Sequence, residues 1–136
     1  MVENVTPDQA YAALKADLGA RLVDVRTDAE WTYVGLPDLS ATGSDLVLIP
    51  WQLFPSGQVN GAFMDQLHGA GVAEDVPVYF LCRSGVRSLA AAGLAASHGF
   101  SRTYNITDGF EGPADHHGHR GSVAGWKVAG LPWGQR

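Results

Sequence analysis

The stretch VYFLCRSGVRSLAAAGLAASHGF, residues 78–100, constrains the fold more than any other part of this chain. The run VPVYFL, residues 76–81, is almost entirely apolar and stops at Cys82. Such a run is typical of a strand covered on both faces of a sheet. The alanine-rich segment 88–98, closed by Gly99, predicts a helix directly after the loop. A buried strand that passes through a short loop into a helix is the basic unit of an α/β fold.

The rest of the chain repeats this alternation of strands and helices. Thr6 and Gln9 form a predicted capping box around Pro7, and Gly19 ends the helix that follows. Further strands are predicted at 21–26, 45–51 and 102–107, and further helices at 58–71 and, in a short form, at 121–130. The sequence therefore predicts a central, mostly parallel sheet with helices on both faces.

Size and composition exclude several classes of protein. A chain of 136 residues is expected to form one domain, residues 1–136, with its own core. The formal net charge of -5 argues against nucleic-acid binding and against binding to a membrane surface. The N-terminus lacks the pattern of a secretory signal, and no apolar run approaches the ~20 residues that span a bilayer. We expect a soluble, cytoplasmic protein.

The surroundings of Cys82 are those of a reactive cysteine. A helix N-terminus offers unpaired N–H groups and a partial positive charge, and Gly85 allows the loop to turn its amides inward. Arg83 and Arg87 add positive charge, and all these groups favour a thiolate. A free cysteine is otherwise often inert core filler. Two arginines so close in sequence favour the reactive interpretation, because guanidinium groups are seldom buried without an anion.

At this point the sequence resembles a known family, the single-domain rhodaneses. The segments that carry the resemblance are CRSGVRS after VYFL, LVDVR near the N-terminus, and the closing ITDGFEG and GWKVAGLPW. The resemblance implies a rhodanese-like fold and a sulfurtransferase without cofactor or metal. Cys82 would take a sulfane sulfur from a small anionic donor such as thiosulfate and hold it as a persulfide. It would pass the sulfur to cyanide or to a thiol, including a protein thiol.

The same resemblance implies which residues bind the substrate. These are the members of the loop that follows the cysteine: Arg83, Ser84, Gly85, Val86, Arg87 and Ser88. Two other functions stay open: a non-catalytic rhodanese-like sulfur carrier or binding module, and a phosphatase or arsenate reductase. Loop spacing disfavours the latter pair, because their cysteine loop has an arginine six positions on, where this chain has Ser88.

Two other groups of residues have a structural and a functional interpretation. The resemblance gives Asp24 and Arg26 a supporting role near the site, and a structural ion pair or cap is the favoured explanation. The histidines of DHHGHRG, His116, His117 and His119, suggest a metal, but no distant ligand lies at motif spacing, so a solvated loop is favoured. The segment after LVDVR lacks the family's usual Gly-His-Ile, which leaves the natural donor, the acceptor and the pathway open.

Overall fold

The computed structural model describes residues 2–135 of the chain. In chain order its elements are β1 (Val2–Val5), α1 (Pro7–Ala16), β2 (Arg21–Asp24), α2 (Asp28–Tyr33), β3 (Leu36–Pro37), β4 (Leu46–Leu48), α3 (Phe63–Gly69), β5 (Val78–Leu81), α4 (Val86–Ser97), β6 (Thr103–Ile106) and β7 (Trp133–Gly134). Five strands form one sheet in the order β1-β6-β5-β2-β4, and every pair in it is parallel. The predicted α/β fold with a parallel central sheet is confirmed.

The central strand β5 shows why both faces of the sheet are covered. All four of its residues are buried, and successive side chains of a strand point to opposite faces. Val78 and Phe80 join the core cluster that contains residues of α3 and α4. Tyr79 and Leu81 join the cluster on the other face, which contains residues of α1. The continuous apolar run in the sequence is therefore shared between two cores.

Side-chain caps fix where two of the helices begin. The predicted capping box of α1 is present, with Gln9 N–H donating to Thr6 Oγ1 and Thr6 N–H donating to Gln9 Oε1. A second capping box opens α2, where Thr27 and Glu30 make the same reciprocal contacts. Each box satisfies backbone N–H groups that a helix start leaves without partners.

The structure corrects the sequence analysis in several places. Helix α3 (Phe63–Gly69) begins five residues later than the helix predicted at 58–71. Helix α4 begins at Val86, two residues earlier than predicted, because Gly85 forms its N-cap with a positive φ of 110°. The segment 121–130 forms turns instead of the predicted short helix, since its glycines at 121, 125 and 130 all have positive φ. The sequence analysis also left β1 unassigned; it pairs with β6 at one edge of the sheet.

A helix must be both long and apolar to cross a lipid bilayer. Among residues 2–135, every helix is too short or too polar to cross a lipid membrane.

Candidate active site

Cys82 lies directly after the carboxyl end of β5, in the middle of the sheet, and three loop residues separate it from α4. It continues the alternation of Val78 and Phe80 and belongs to the same core cluster as the buried face of α4. This parity places its side chain beneath the N-terminus of that helix. The residue is only 1% exposed, so its sulfur lies at the bottom of the cysteine loop, residues 82–88.

Two donors contact the sulfur of Cys82. The backbone N–H of Gly85 donates to Sγ at 3.1 Å, and the hydroxyl of Ser88 lies 3.2 Å from the same atom. Ser88 is fully buried, and its hydroxyl also lies 2.6 Å from Oδ1 of Asn105, which is on β6. Asn105 in turn donates from Nδ2 to Asn4 on the edge strand β1 at 3.1 Å. Hydrogen-bond donors of this kind stabilise a sulfur anion.

The loop after β6 holds the start of the cysteine loop in place. The carbonyl of Cys82 accepts from Phe110 N–H at 2.8 Å, and the carbonyl of Arg83 accepts from the N–H groups of Glu111 and Gly112 at 3.0 and 3.1 Å. In a trans peptide the carbonyl and the following N–H point in opposite directions. The amides of Arg83 and Ser84 are therefore turned away from the β6 loop.

Gly109 allows this close approach of the two loops. A Cβ atom at this position would lie 2.4 Å from the carbonyl oxygen of Cys82 and 2.6 Å from the carbonyl carbon of Arg83. Its φ of 58° is also in the left-handed region. Only glycine fits here without displacing the backbone that carries Cys82.

The two arginines of the cysteine loop have different environments. Arg87, in the first turn of α4, forms a bidentate ion pair with Glu30 of α2, with N–O distances of 2.7 and 2.9 Å. Both side chains are 19% exposed. Arg83 is exposed, and among residues 2–135 no carboxylate lies within ion-pair distance of it. The sequence analysis gave both arginines to an anionic donor, whereas in the structure the guanidinium of Arg87 is bonded to Glu30.

The Glu30–Arg87 pair changes the pKa of each partner. Burial raises the pKa of Glu30, but the hydrogen bonds and the positive charge of Arg87 outweigh it and hold the pKa below its usual value. The hydrogen bonds of Glu30 raise the pKa of Arg87 against the effect of burial, and the charges of Cys82 and Asp24 act in the same direction. The pair is therefore charged on both sides at neutral pH.

Asp24 and Arg26 form the ion pair that the sequence analysis favoured. Both residues are fully buried, and Arg26 Nη2 lies 2.8 Å from Asp24 Oδ2. The same nitrogen donates to the carbonyl of Gly35 at 2.8 Å, and the guanidinium lies 4.2 Å from the ring centroid of Phe110. Phe110 also bonds to the carbonyl of Cys82. Through the contact of Arg26 with the Phe110 ring, the ion pair helps to position the loop after β6.

The histidines at 116, 117 and 119 lie in an exposed turn. Asp115 organises this turn: its carboxylate accepts the N–H groups of His117 and His119 and the hydroxyl of Ser122. Those hydrogen bonds, led by the one from His119, lower the pKa of Asp115. Within the described part of the chain, no three His, Cys, Asp or Glu side chains are grouped closely enough to hold a metal ion.

Comparison with known proteins places this arrangement in a family. The family model described as "STR4 middle domain" matches residues 2–136. An uncharacterised protein of Rickettsia prowazekii is 39% identical, and the match covers 98% of each chain. The crystal structure of Rv0390 from M. tuberculosis is 44% identical, with a TM-score of 0.89 and 98% of each chain covered.

Two further relatives carry descriptive names. The chloroplastic "Rhodanese-like domain-containing protein 4" of Arabidopsis thaliana is 30% identical over 125 residues, which is 91% of this chain and 24% of that protein. The polysulfide-sulfur transferase homodimer of Wolinella succinogenes shares the fold at 22% identity, with a TM-score of 0.66 and coverage of 99% and 80%. The chain belongs to the rhodanese-like family. The resemblance first seen in the cysteine loop is thereby confirmed.

Two residues of this rhodanese-like site are absent from the set predicted from the sequence. Glu30 was readable as the third position of a capping box after Thr27, but its contact with Arg87 joins residues 57 positions apart. Asn105 had a weaker signal, a single amide within the apolar strand TYNI. A polar side chain that is 4% exposed needs a partner, and here the partner is Ser88.

A surface groove elsewhere on the rhodanese-like chain has none of the cysteine-loop residues in its wall. It has a volume of about 610 Å³ and runs along the edge strand β4, with Arg21, Gln66 and apolar residues in its wall. The groove contains no nucleophile and lies away from the carboxyl end of β5. We therefore place the chemistry at Cys82, where the donors converge.

Proposed function

We propose that this rhodanese-like chain is a sulfurtransferase that carries sulfur as a persulfide on Cys82. The observation that carries the proposal is the convergence of the Gly85 N–H and the Ser88 hydroxyl on Cys82 Sγ, at the N-terminus of the 12-residue helix α4. A buried sulfur with two donors and a helix dipole fits a nucleophile that works as an anion. Family membership supports the same chemistry.

The first half of the reaction loads the cysteine. The Cys82 thiolate attacks the outer sulfur of thiosulfate, the bond between the two sulfur atoms breaks, and sulfite leaves with the electron pair of that bond. The product is a Cys82 persulfide whose outer sulfur carries the negative charge. The amides of Arg83 and Ser84, which the β6 loop turns away from itself, are the groups we assign to this outer sulfur, as an oxyanion hole serves an oxygen.

The second half of the reaction unloads the cysteine. A nucleophilic acceptor, cyanide or a thiol, attacks the outer sulfur and forms a new bond to it. The persulfide bond breaks, and its electron pair returns to Cys82 as thiolate. Neither half consumes an oxidant or a reductant. The acceptor removes the sulfur directly, so the mechanism needs no second cysteine, and the chain contains only one.

The environment of Arg87 supports sulfur transfer over phosphate or arsenate chemistry. A phosphatase loop uses a free guanidinium to bind the oxygen atoms of a tetrahedral anion. Arg87 already forms two hydrogen bonds with Glu30, at 2.7 and 2.9 Å. A single sulfur atom needs fewer donors and is served by the amides and Ser88.

Turnover with thiosulfate and cyanide tests this proposal. We expect the protein to release thiocyanate catalytically, and Cys82→Ser to release none above the uncatalysed rate. Ser97→Ala is the matched control, because Ser97 is an exposed serine at the other end of α4. Loading of one sulfur without turnover would favour a sulfur-carrier module. Hydrolysis of a chromogenic phosphate ester would favour a phosphatase.

A further inference from the structure

Charge at the mouth of the site is almost fully compensated. Arg87 is neutralised by Glu30, and the buried Arg26 is neutralised by Asp24. The exposed Arg83 is the remaining cation of the cysteine loop. The adjoining β6 loop carries two carboxylates, Asp108 and Glu111, and Arg120 donates to the carbonyl of Gly112 in the same loop, so that with Arg83 the formal charges cancel. A doubly charged anion gains little attraction from such a rim.

We propose that Glu30 is a specificity-determining residue, which selects sulfur donors of low charge, of the organic persulfide or thiosulfonate class, over dianionic thiosulfate. The inference rests on the proposed function and refines its substrate. Its physical basis is that Glu30 withholds the guanidinium of Arg87 from the donor. A dianion that approaches a thiolate needs a free cation beside it, whereas a monoanion or a neutral donor meets less repulsion.

The geometry of Glu30 allows its charge to be removed without loss of its structural role. Glu30 Oε1 accepts from the N–H and the hydroxyl of Thr27 at 3.1 Å, as the third residue of the capping box of α2. Gln9 plays the same part for Thr6 at the start of α1, so glutamine closes such a box in this fold. Oε1 also accepts from Arg87 Nη1, and Oε2 accepts from Nη2. Glu30→Gln therefore keeps the cap and loosens the hold on Arg87, because it removes the negative charge and puts at Oε2 an NH₂ group that cannot accept from guanidinium.

Two donors that differ by one charge test the proposal. Thiosulfate is a dianion, and methanethiosulfonate is a monoanion that presents the same kind of outer sulfur on a sulfonyl group. In each case the thiolate attacks the outer sulfur, and sulfite or methanesulfinate leaves with the electron pair of the broken bond. The quantity to measure is kcat/KM for each donor with cyanide as acceptor, in the wild type, Glu30→Gln, Glu30→Asp and Asp28→Asn.

We expect the wild type to prefer methanethiosulfonate. Glu30→Gln should raise kcat/KM for thiosulfate about tenfold, mainly through KM, and that for methanethiosulfonate about threefold or less. Asp28→Asn removes an exposed charge from the same helix turn and should change neither value. Glu30→Asp keeps the charge and should keep the wild-type preference, whereas a merely structural role would make it resemble Glu30→Gln.

Three results would overturn the proposal. They are an unchanged ratio of the two kcat/KM values in Glu30→Gln, a lower thiosulfate value in that variant, and equal effects of Glu30→Gln and Glu30→Asp. Failure of the proposed function gives a different result, since the wild type would then form no persulfide with either donor.

Discussion

The hydroxyl of Ser88 lies 3.2 Å from the sulfur of Cys82 and 2.6 Å from Oδ1 of Asn105. One serine thus connects the candidate nucleophile in the loop after β5 with a buried amide on the neighbouring strand β6. The hydroxyl has a single hydrogen, so it donates to one of these two atoms at a time. When Cys82 carries a negative charge, the sulfur is the stronger acceptor.

Removal of this hydroxyl should slow sulfur loading. We expect Ser88→Ala to form the persulfide about tenfold more slowly, because a hydrogen bond to a charged group contributes about 1.5–3 kcal/mol. The measurement is the rate of single-turnover loading with excess donor, followed by mass. Ser97→Ala should load at the wild-type rate. Equal rates for Ser88→Ala and the wild type would show that the hydroxyl does not stabilise the loading step.

Gly109 should not tolerate a side chain. A Cβ there would lie 2.4 Å from the carbonyl oxygen of Cys82, so we expect Gly109→Ala to destabilise the fold by more than about 2 kcal/mol and to lose most of its activity. Gly93→Ala is the control: Gly93 is exposed within α4, and its added Cβ meets nothing within 4 Å. That variant should gain about 0.5–1 kcal/mol. Urea denaturation measures both values, and a stable, active Gly109→Ala would contradict the clamped-loop geometry.

The buried ion pair of Asp24 and Arg26 should be costly to break from one side. Asp24→Asn leaves a fully buried guanidinium without its charge partner, and we expect a loss of about 3–5 kcal/mol in the free energy of unfolding. The double variant Asp24→Asn with Arg26→Met removes that unpaired charge and should be less destabilised than Asp24→Asn alone. If the double variant is the less stable of the two, the pair does not act as we describe.

The Glu30–Arg87 pair predicts a pH dependence of stability. A carboxyl whose folded pKa lies below its unfolded value stabilises the fold above the unfolded pKa, and loses that contribution as the pH falls through the folded pKa. The ordinary value for Glu30 is 4.5, and Arg87 lowers it in the fold. We therefore expect the wild type to exceed Glu30→Gln by about 1 kcal/mol at neutral pH. Chemical denaturation between pH 3 and 7 should show this difference decline below pH 4.5, and a difference that grows on acidification would be the wrong sign.

Much of the fold could be predicted because its signals are local. The apolar run before Cys82 predicted a strand buried on both faces, and the pattern of Thr6 and Gln9 predicted the start of α1. The helix predicted at 121–130 does not form, and the reason lies in the tertiary contacts of this segment. Its apolar spacing resembles a helix, but Trp126 N–H donates to the carbonyl of Gly109, and the glycines around it adopt positive φ.

The candidate site was only partly readable from the sequence. Cys82 and its loop form one contiguous segment, and their residue types indicate their chemistry directly. The contact of Arg87 with Glu30 depends instead on the packing of α2 beside α4, and the contact of Ser88 with Asn105 depends on the register of β5 against β6. Neither relationship has a sequence pattern, because each joins distant parts of the chain through the fold.

The intact mass of the reduced protein, before and after incubation with a sulfane-sulfur donor, tests the central claim most directly. Thiosulfate and methanethiosulfonate should each be tried, with Cys82→Ser in parallel. We predict a gain of one sulfur atom on the wild type alone, which cyanide removes with release of thiocyanate. An unchanged mass with every donor, while Cys82 is still alkylated freely, would contradict the persulfide mechanism.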